Sequence, residues 1–146
     1  MPVLDGEGRR LARHRLKFRK LPGLYGIVRL GPEVPVPTWA TKGDFSAITR
    51  TADELSVICA AGNLPDGVRS RHRWIGLKLE GPFAFEQTGV LLSFIEPLSS
   101  NGIPIFAVST HDTDHIFVRD DKTKAALDLL REAGHQLIQS PAGTGK

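Results

Sequence analysis

"TGVLLSFIEPLSSNGIPIFAVSTHDTDHIFV", residues 88–118, changes its hydrophobic period partway along, and that change decides the fold. Its first half places Val90, Leu91, Phe94, Ile95 and Leu98 at the three-and-four spacing of one helix face. The pair Asn101-Gly102 then supplies the residue types that end a helix. The second half alternates instead. Ile103 to Thr110 is rich in branched side chains and reads as a half-buried strand. "HIFVRD", from His115, reads as its partner strand, and the "HDTD" of His111 to Asp114 reads as the turn between them.

Upstream, "RWIGLKLEG", Arg73 to Gly81, alternates Ile75, Leu77 and Leu79 with Trp74, Gly76 and Lys78 and stops at Gly81-Pro82. The helix that follows is predicted from about Phe85 to Ser100. Downstream, Asp121 to Ala133 is predicted as a second helix, with Ala126, Leu129 and Leu130 on one face and Gly134 at its end. His135 to Ile138 reads as a short closing strand. The resulting order is β-α-β-β-α-β.

The first half of the chain repeats this plan in shortened form. "GIVRLGP" at Gly26 resembles "GLKLEGP" at Gly76, and "AITRTADELSVI" at Ala47 resembles "AVSTHDTDHIFV" at Ala107. The spacing between the paired stretches is shorter in the first copy, so its first helix is reduced to a stub around Val36 to Lys42. The loop "AGNLPDGVRS" leaves no room for its second helix. One complete unit thus follows one clipped relative, and such a pair is expected to complete each other's sheets.

With 40% hydrophobic and 24% charged residues in 146, the chain is globular in composition. No apolar run approaches the roughly 18 residues of a spanning helix. The start of the chain lacks the apolar centre of a secretory signal, so a cytoplasmic location is expected. Cys59 is the only cysteine, which excludes a disulfide framework and a multi-cysteine zinc site, and its apolar setting predicts a buried thiol. Charge is unevenly spread. Residues 1–20 hold seven Arg or Lys against two acids, whereas the chain as a whole is only +3, so the remainder is net negative by two. This basic leader is expected to be a solvated tail or an outer strand, with a contact to nucleic acid or an anionic surface as the alternative.

His111, Asp112, Asp114 and His115 are the right residue types for a metal, but a hairpin turn splays them apart, and no metal is assigned. His111 beside Asp112 or Asp114 is the only visible acid/base candidate, and sequence neighbours orient each other poorly. His14, His72 and His135 read as surface or packing residues. "AGTGK", Ala142 to Lys146, lacks the full phosphate-loop pattern and reads as part of a flexible tail. No catalytic residue and no cofactor are therefore assigned. An RNA-binding module of the same fold would need aromatics on its central strands. Trp74, Phe106, Phe117 and Tyr25 are few and fit no matching motif, so they read as core or interface.

The stretch 88–118 resembles the ACT domain, a small regulatory amino-acid-binding module. The resemblance lies in Gly89-Val90 opening the helix, in Phe94 and Leu98, in Gly102-Ile103, in Ser109-Thr110 ending the strand, and in Ile116 and Val118. The Ser-Thr strand end is similar to the ACT repeats of aspartokinases. The whole layout resembles small standalone tandem-ACT proteins and the ACT repeats of the animal cytosolic arginine sensor. This implies an α+β fold, a complete ferredoxin-like βαββαβ unit over 69–140 preceded by an abbreviated unit over 21–68. Its sheets are antiparallel with helices on one face, flanked by a leader at 1–20 and a tail at 141–146. It also implies a non-enzymatic protein that binds an amino acid or related metabolite, pairs as a homodimer and reports to a regulated protein partner. No membrane partner is implied, and nucleic acid is disfavoured. Carried over residue by residue, the ligand-binding set is Glu80, Gly81, Phe83, Thr88 and Gly89 on one side and Ser109, Thr110 and Asp114 on the other. The equivalent hairpin of the first copy offers Thr49 and Arg50. The chain departs from the family at Pro82, which removes one N–H donor from the ligand loop.

Overall fold

The computed structural model describes residues 14–81, 83 and 88–138. Within them, one sheet contains β1 (Lys17–Lys20), β2 (Tyr25–Leu30), β3 (Ala47–Arg50), β4 (Leu55–Ala60), β5 (Trp74–Leu79), β6 (Ile105–Ser109), β7 (Asp114–Arg119) and β8 (Gln136–Leu137). The helices are α1 (Val90–Ser99) and α2 (Thr123–Glu132). The β-α-β-β-α-β order of the second unit is therefore β5-α1-β6-β7-α2-β8, with β7 antiparallel to both β5 and β6.

The first unit contributes β2, β4 and β3, joined as an antiparallel meander. Its helix stub is a single 3-10 turn, Thr38–Thr41, which drops the buried Ala40 onto Val28, Leu55 and Val57. The meander continues the sheet of the second unit through one pairing, Tyr25 with Trp74. The predicted start of α1 before Thr88 falls largely outside the described residues. α2 begins later than its periodicity suggests, because Asp120–Lys122 wind as a 3-10 turn and Thr123 Oγ1 donates to Asp120 O at 2.7 Å.

The leader requires a correction. Its last four residues are neither a solvated tail nor an outer strand. They form β1, which lies between β5, antiparallel, and β8, parallel. Phe18 is 1% exposed and meets Phe94 of α1 edge-on at a centroid distance of 5.1 Å. The physical reason is alternation: Leu16 and Phe18 point inward while Lys17 carries its charge outward. The density of positive charge hides a two-residue apolar period.

The sheet has two unequal faces. On one, Ile75, Leu77 and Leu79 of β5 and Ile116 and Val118 of β7 pack against Val90, Phe94 and Leu98 of α1 and Ala126 and Leu130 of α2. Burying each such large side chain contributes about 1.5–3 kcal/mol. On the other face, Phe117, Tyr25 and Ile58 are covered by Phe45, whose ring lies 5.3 Å from Phe117 and 6.0 Å from Tyr25. Leu21 crosses β5 so closely that a Cβ on Gly76 would fall 2.8 Å from its Cδ1.

Candidate ligand site

The C-terminal end of β5 and the β6–β7 turn are tied into one block. Thr113 is buried, and its Oγ1 donates to Leu79 O at 2.8 Å. The turn closes on itself as the Thr110 N–H donates to Thr113 O at 2.8 Å. The loop after β5 is fastened to that turn by the Phe83 N–H, which donates to Asp112 O at 3.0 Å. Between these bonds there is no room for a side chain at residue 81. A Cβ on Gly81 would lie 2.9 Å from Asp112 O.

α1 starts beside this block. Gly89 precedes it in the left-handed region, φ 81°, and no side chain among the described residues caps the helix. The first N–H groups of an α-helix have no intrahelical acceptor, and they carry the positive end of the helix dipole. Here Gly89, Val90, Leu91 and Leu92 form one wall of a cavity of about 340 Å³. Phe83 contributes an apolar wall, and Ser109 to Asp114 form the opposite side. Ser109 Oγ donates to Asp114 Oδ1 at 2.5 Å, and His111 Nδ1 lies 2.9 Å from Asp112 Oδ1. One wall of the cavity thus offers backbone donors at a helix N-terminus, and the facing wall offers two aspartates and two hydroxyls. A zwitterion has that polarity.

Of the residues named from sequence, Gly81 and Phe83 frame this cavity, and Gly89, Ser109, Thr110 and Asp114 line it. Thr88 is exposed, and its carbonyl accepts a bond from His14 Nε2 at 3.0 Å. Glu80 turns to β1, where Arg19 Nε lies 2.6 Å from its Oε1. Thr49 and Arg50 stand on β3 in the first unit, and the Arg50 guanidinium donates to Pro32 O and Val34 O. Pro82 lies outside the described residues. His111 and His115 diverge. His115 is buried on the other face against Phe45, centroids 4.7 Å apart, and its Nδ1 has no hydrogen-bond partner. Among the described residues no group of three or more His, Cys, Asp or Glu converges. Cys59 is buried, and burial pushes its thiol pKa up.

A family model described as the ACT domain matches residues 69–132, which contain this whole cavity. A crystal structure of a protein from Agrobacterium tumefaciens is 48% identical, covering 87% of this chain and 95% of that one, with a TM-score of 0.81. Residues 69–132 form an ACT domain. A second family model, of an N-terminal domain, matches residues 23–67, the span of the first unit. A Vibrio cholerae protein of unknown function, titled a possible transport protein, is 21% identical over 82% of this chain and 90% of that one, with a TM-score of 0.66. The aspartate kinase of Clostridium acetobutylicum, titled an allosteric enzyme, shares the fold at 11% identity and a TM-score of 0.59, over 87% of this chain and 37% of that one. No curated protein matches the chain.

Within the ACT unit, sequence reasoning missed two structural contributors to the site. Thr113 looks like one more polar turn residue, yet its hydroxyl joins the hairpin to β5. Leu91 looks like a core position of an amphipathic helix, yet its place in the first turn puts it on the cavity wall. The signal available for both was position relative to a helix or strand end. No helix among the described residues is long and apolar enough to cross a membrane.

Proposed function

We propose that this ACT protein is a non-enzymatic sensor that holds an amino acid, or a metabolite with the same zwitterionic head, in the cavity between the start of α1 and the β6–β7 turn. One observation carries the reading: a helix N-terminus with no side-chain cap among the described residues shares with Asp114 and Asp112 a cavity of about 340 Å³, within the usual size range of small-molecule sites. The ligand carboxylate takes the free N–H groups of Gly89 to Leu92, and its ammonium takes Asp114. Phe83 covers the apolar part of the side chain.

The reading extends to assembly. Among the described residues β6 pairs only with β7, so its other edge, along the uncharged sequence "IFAVS", is left without a strand partner there. Such an edge favours pairing with a second copy, and a homodimer formed there would place two cavities near its interface. A cytoplasmic protein that reads the loaded state is the corresponding partner.

Isothermal titration of the full chain with each standard amino acid tests the proposal. One ligand should bind saturably, and at a hundred times its Kd it should stabilise the fold by about 2.7 kcal/mol. No heat and no thermal shift with any amino acid at millimolar concentration would overturn it.

A further inference from the structure

The second feature built to take a ligand lies in the segment that connects the two units. Nine arginines fall among the described residues, and five of them donate to a carboxylate or a backbone carbonyl: Arg19, Arg29, Arg50, Arg119 and Arg131. Of the remaining four, Arg15 stands by itself just before β1, and Arg69, Arg71 and Arg73 form a cluster. Their guanidinium groups make no hydrogen bond or ion pair among the described residues, although they stand within five positions of one another. Arg69 and Arg73 line one cavity of about 310 Å³. Each guanidinium brings five N–H donors and no acceptor, so the two facing one cavity repel each other until an anion lies between them.

The backbone around this cavity is held in place. Ser70 Oγ accepts the Ile27 N–H at 3.0 Å and donates to His72 O at 2.5 Å, so the segment is fastened to β2. Gly26 permits that approach, since a Cβ there would fall 2.8 Å from Leu64 Cδ1 and 3.2 Å from Ser70 Cβ. On the near rim the Val68 N–H donates to Pro65 O at 3.1 Å across a turn that has Gly67 at φ +86°. At the far end Arg73 O accepts the Asp120 N–H at 2.9 Å. Asp66 stands on the rim and forms no ion pair with either arginine. The two cations are therefore mounted on a fixed frame, and no ion pair among the described residues neutralises them.

We propose that Arg69 and Arg73 form an anion site, separate from the cavity at Asp114, for a small metabolite bearing a phosphoryl or dicarboxylate group. A guanidinium pair binds either oxyanion through charge-assisted, bidentate bonds. Asp66 favours a ligand that also carries a hydroxyl or ammonium donor. The site belongs to the connection between β4 and β5, so its occupancy braces the joint between the first unit and the ACT unit.

The test is NMR titration of the arginine Nε–H signals of the full chain with pyrophosphate and, separately, with succinate, at about 0.15 M salt, where exposed charges beyond about 8 Å are screened. Saturable shifts of the Arg69 and Arg73 signals with either probe are expected, and the stronger probe distinguishes phosphoryl from carboxylate. Arg69→Gln and Arg73→Gln should each weaken binding at least tenfold. Arg71→Gln should leave it within twofold, and so should Asp114→Ala, which separates this site from the amino-acid cavity. These exposed positions leave the fold intact, which an unchanged melting temperature without probe verifies. Non-saturating shifts, equal loss in Arg71→Gln, or full binding in Arg69→Gln and Arg73→Gln would each overturn the proposal.

Discussion

His135 supplies a hydrogen bond to Ser93 that the helix itself cannot make. Pro97 sits inside α1 and has no N–H to return to the carbonyl of Ser93, four residues earlier. His135 Nε2 lies 2.8 Å from that carbonyl and donates to it. The ring's other nitrogen, Nδ1, accepts the buried Leu16 N–H at 3.1 Å. One neutral tautomer satisfies both bonds, and the side chain is 3% exposed. Replacing it orphans a buried donor and a buried acceptor at once, each costing about 1–3 kcal/mol. His135→Ala should therefore lower unfolding stability by about 2 kcal/mol or more. In a Pro97→Ala background the helix regains its own donor to Ser93 O, and the cost of His135→Ala should shrink by about 1 kcal/mol. Denaturant unfolding of the four variants in the cycle measures that coupling, and strict additivity would refute the role given to His135.

The same geometry makes the fold sensitive to acid. Burial lowers the pKa of His135 below its ordinary 6.5, against a smaller raising effect of its bond to Ser93 O. Burial also lowers that of His115, with Lys78 adding to the effect and Asp114 opposing it. Both imidazoles take up a proton less readily folded than unfolded, so the unfolded chain binds more protons in mildly acidic solution, and stability rises with pH there. Their contribution is complete above about pH 6.5 and is lost as the pH falls below it toward the folded values. Urea midpoints measured from pH 7.5 to 5 should decline. A double replacement of His115 and His135 by Gln should flatten that decline even though it costs stability at pH 7.5.

The βαββαβ order was legible because residues 88–118 switch period within one stretch, and the Ser109-Thr110 strand end led directly to one wall of the cavity. β1 was not legible. Four cations in a row of six residues conceal the inward positions Leu16 and Phe18, since composition is read more easily than a two-residue period in a strand so short. The partner of Glu80 was hidden for a related reason. That partner, Arg19, is on β1, so a reader who leaves β1 out of the sheet sees Glu80 as unclaimed and assigns it to the ligand. Thr49 and Arg50 illustrate the limit of a repeat: the hairpin is reproduced, but in the first copy its arginine closes the chain's own Pro32–Val34 loop.

Phe18 gives β1 a measurable weight. It is 1% exposed between Leu79 and Leu77 on one side and α1 on the other, in contact with Phe94. Truncation of a buried phenylalanine costs about 3–5 kcal/mol. Phe18→Ala should cost that much by chemical denaturation, whereas Lys17→Ala, an exposed neighbour, should stay within about 0.5 kcal/mol. Equal and small effects at both positions would mean that the leader strand does not belong to the cooperative core.

Asp114 and His111 separate the two readings of the same turn. Asp114 lines the cavity together with the first turn of α1 and accepts the Ser109 hydroxyl. His111 is exposed at the tip, and its contact with Asp112 is between neighbours in sequence. If an ammonium docks on Asp114, Asp114→Ala should remove a charge-assisted bond worth about 1.5–3 kcal/mol, a loss of roughly tenfold to more than a hundredfold in affinity. His111→Ala should change affinity by less than about threefold, because its contact with Asp112 is exposed and worth little. Gly81→Ala provides an independent check, since its new methyl must displace Asp112 O and with it the Phe83 N–H bond that holds the wall in place. Calorimetric titration of the three variants with whichever amino acid binds the parent should rank Asp114→Ala and Gly81→Ala far below His111→Ala. The reverse order would move the ligand from the helix N-terminus to the histidine tip.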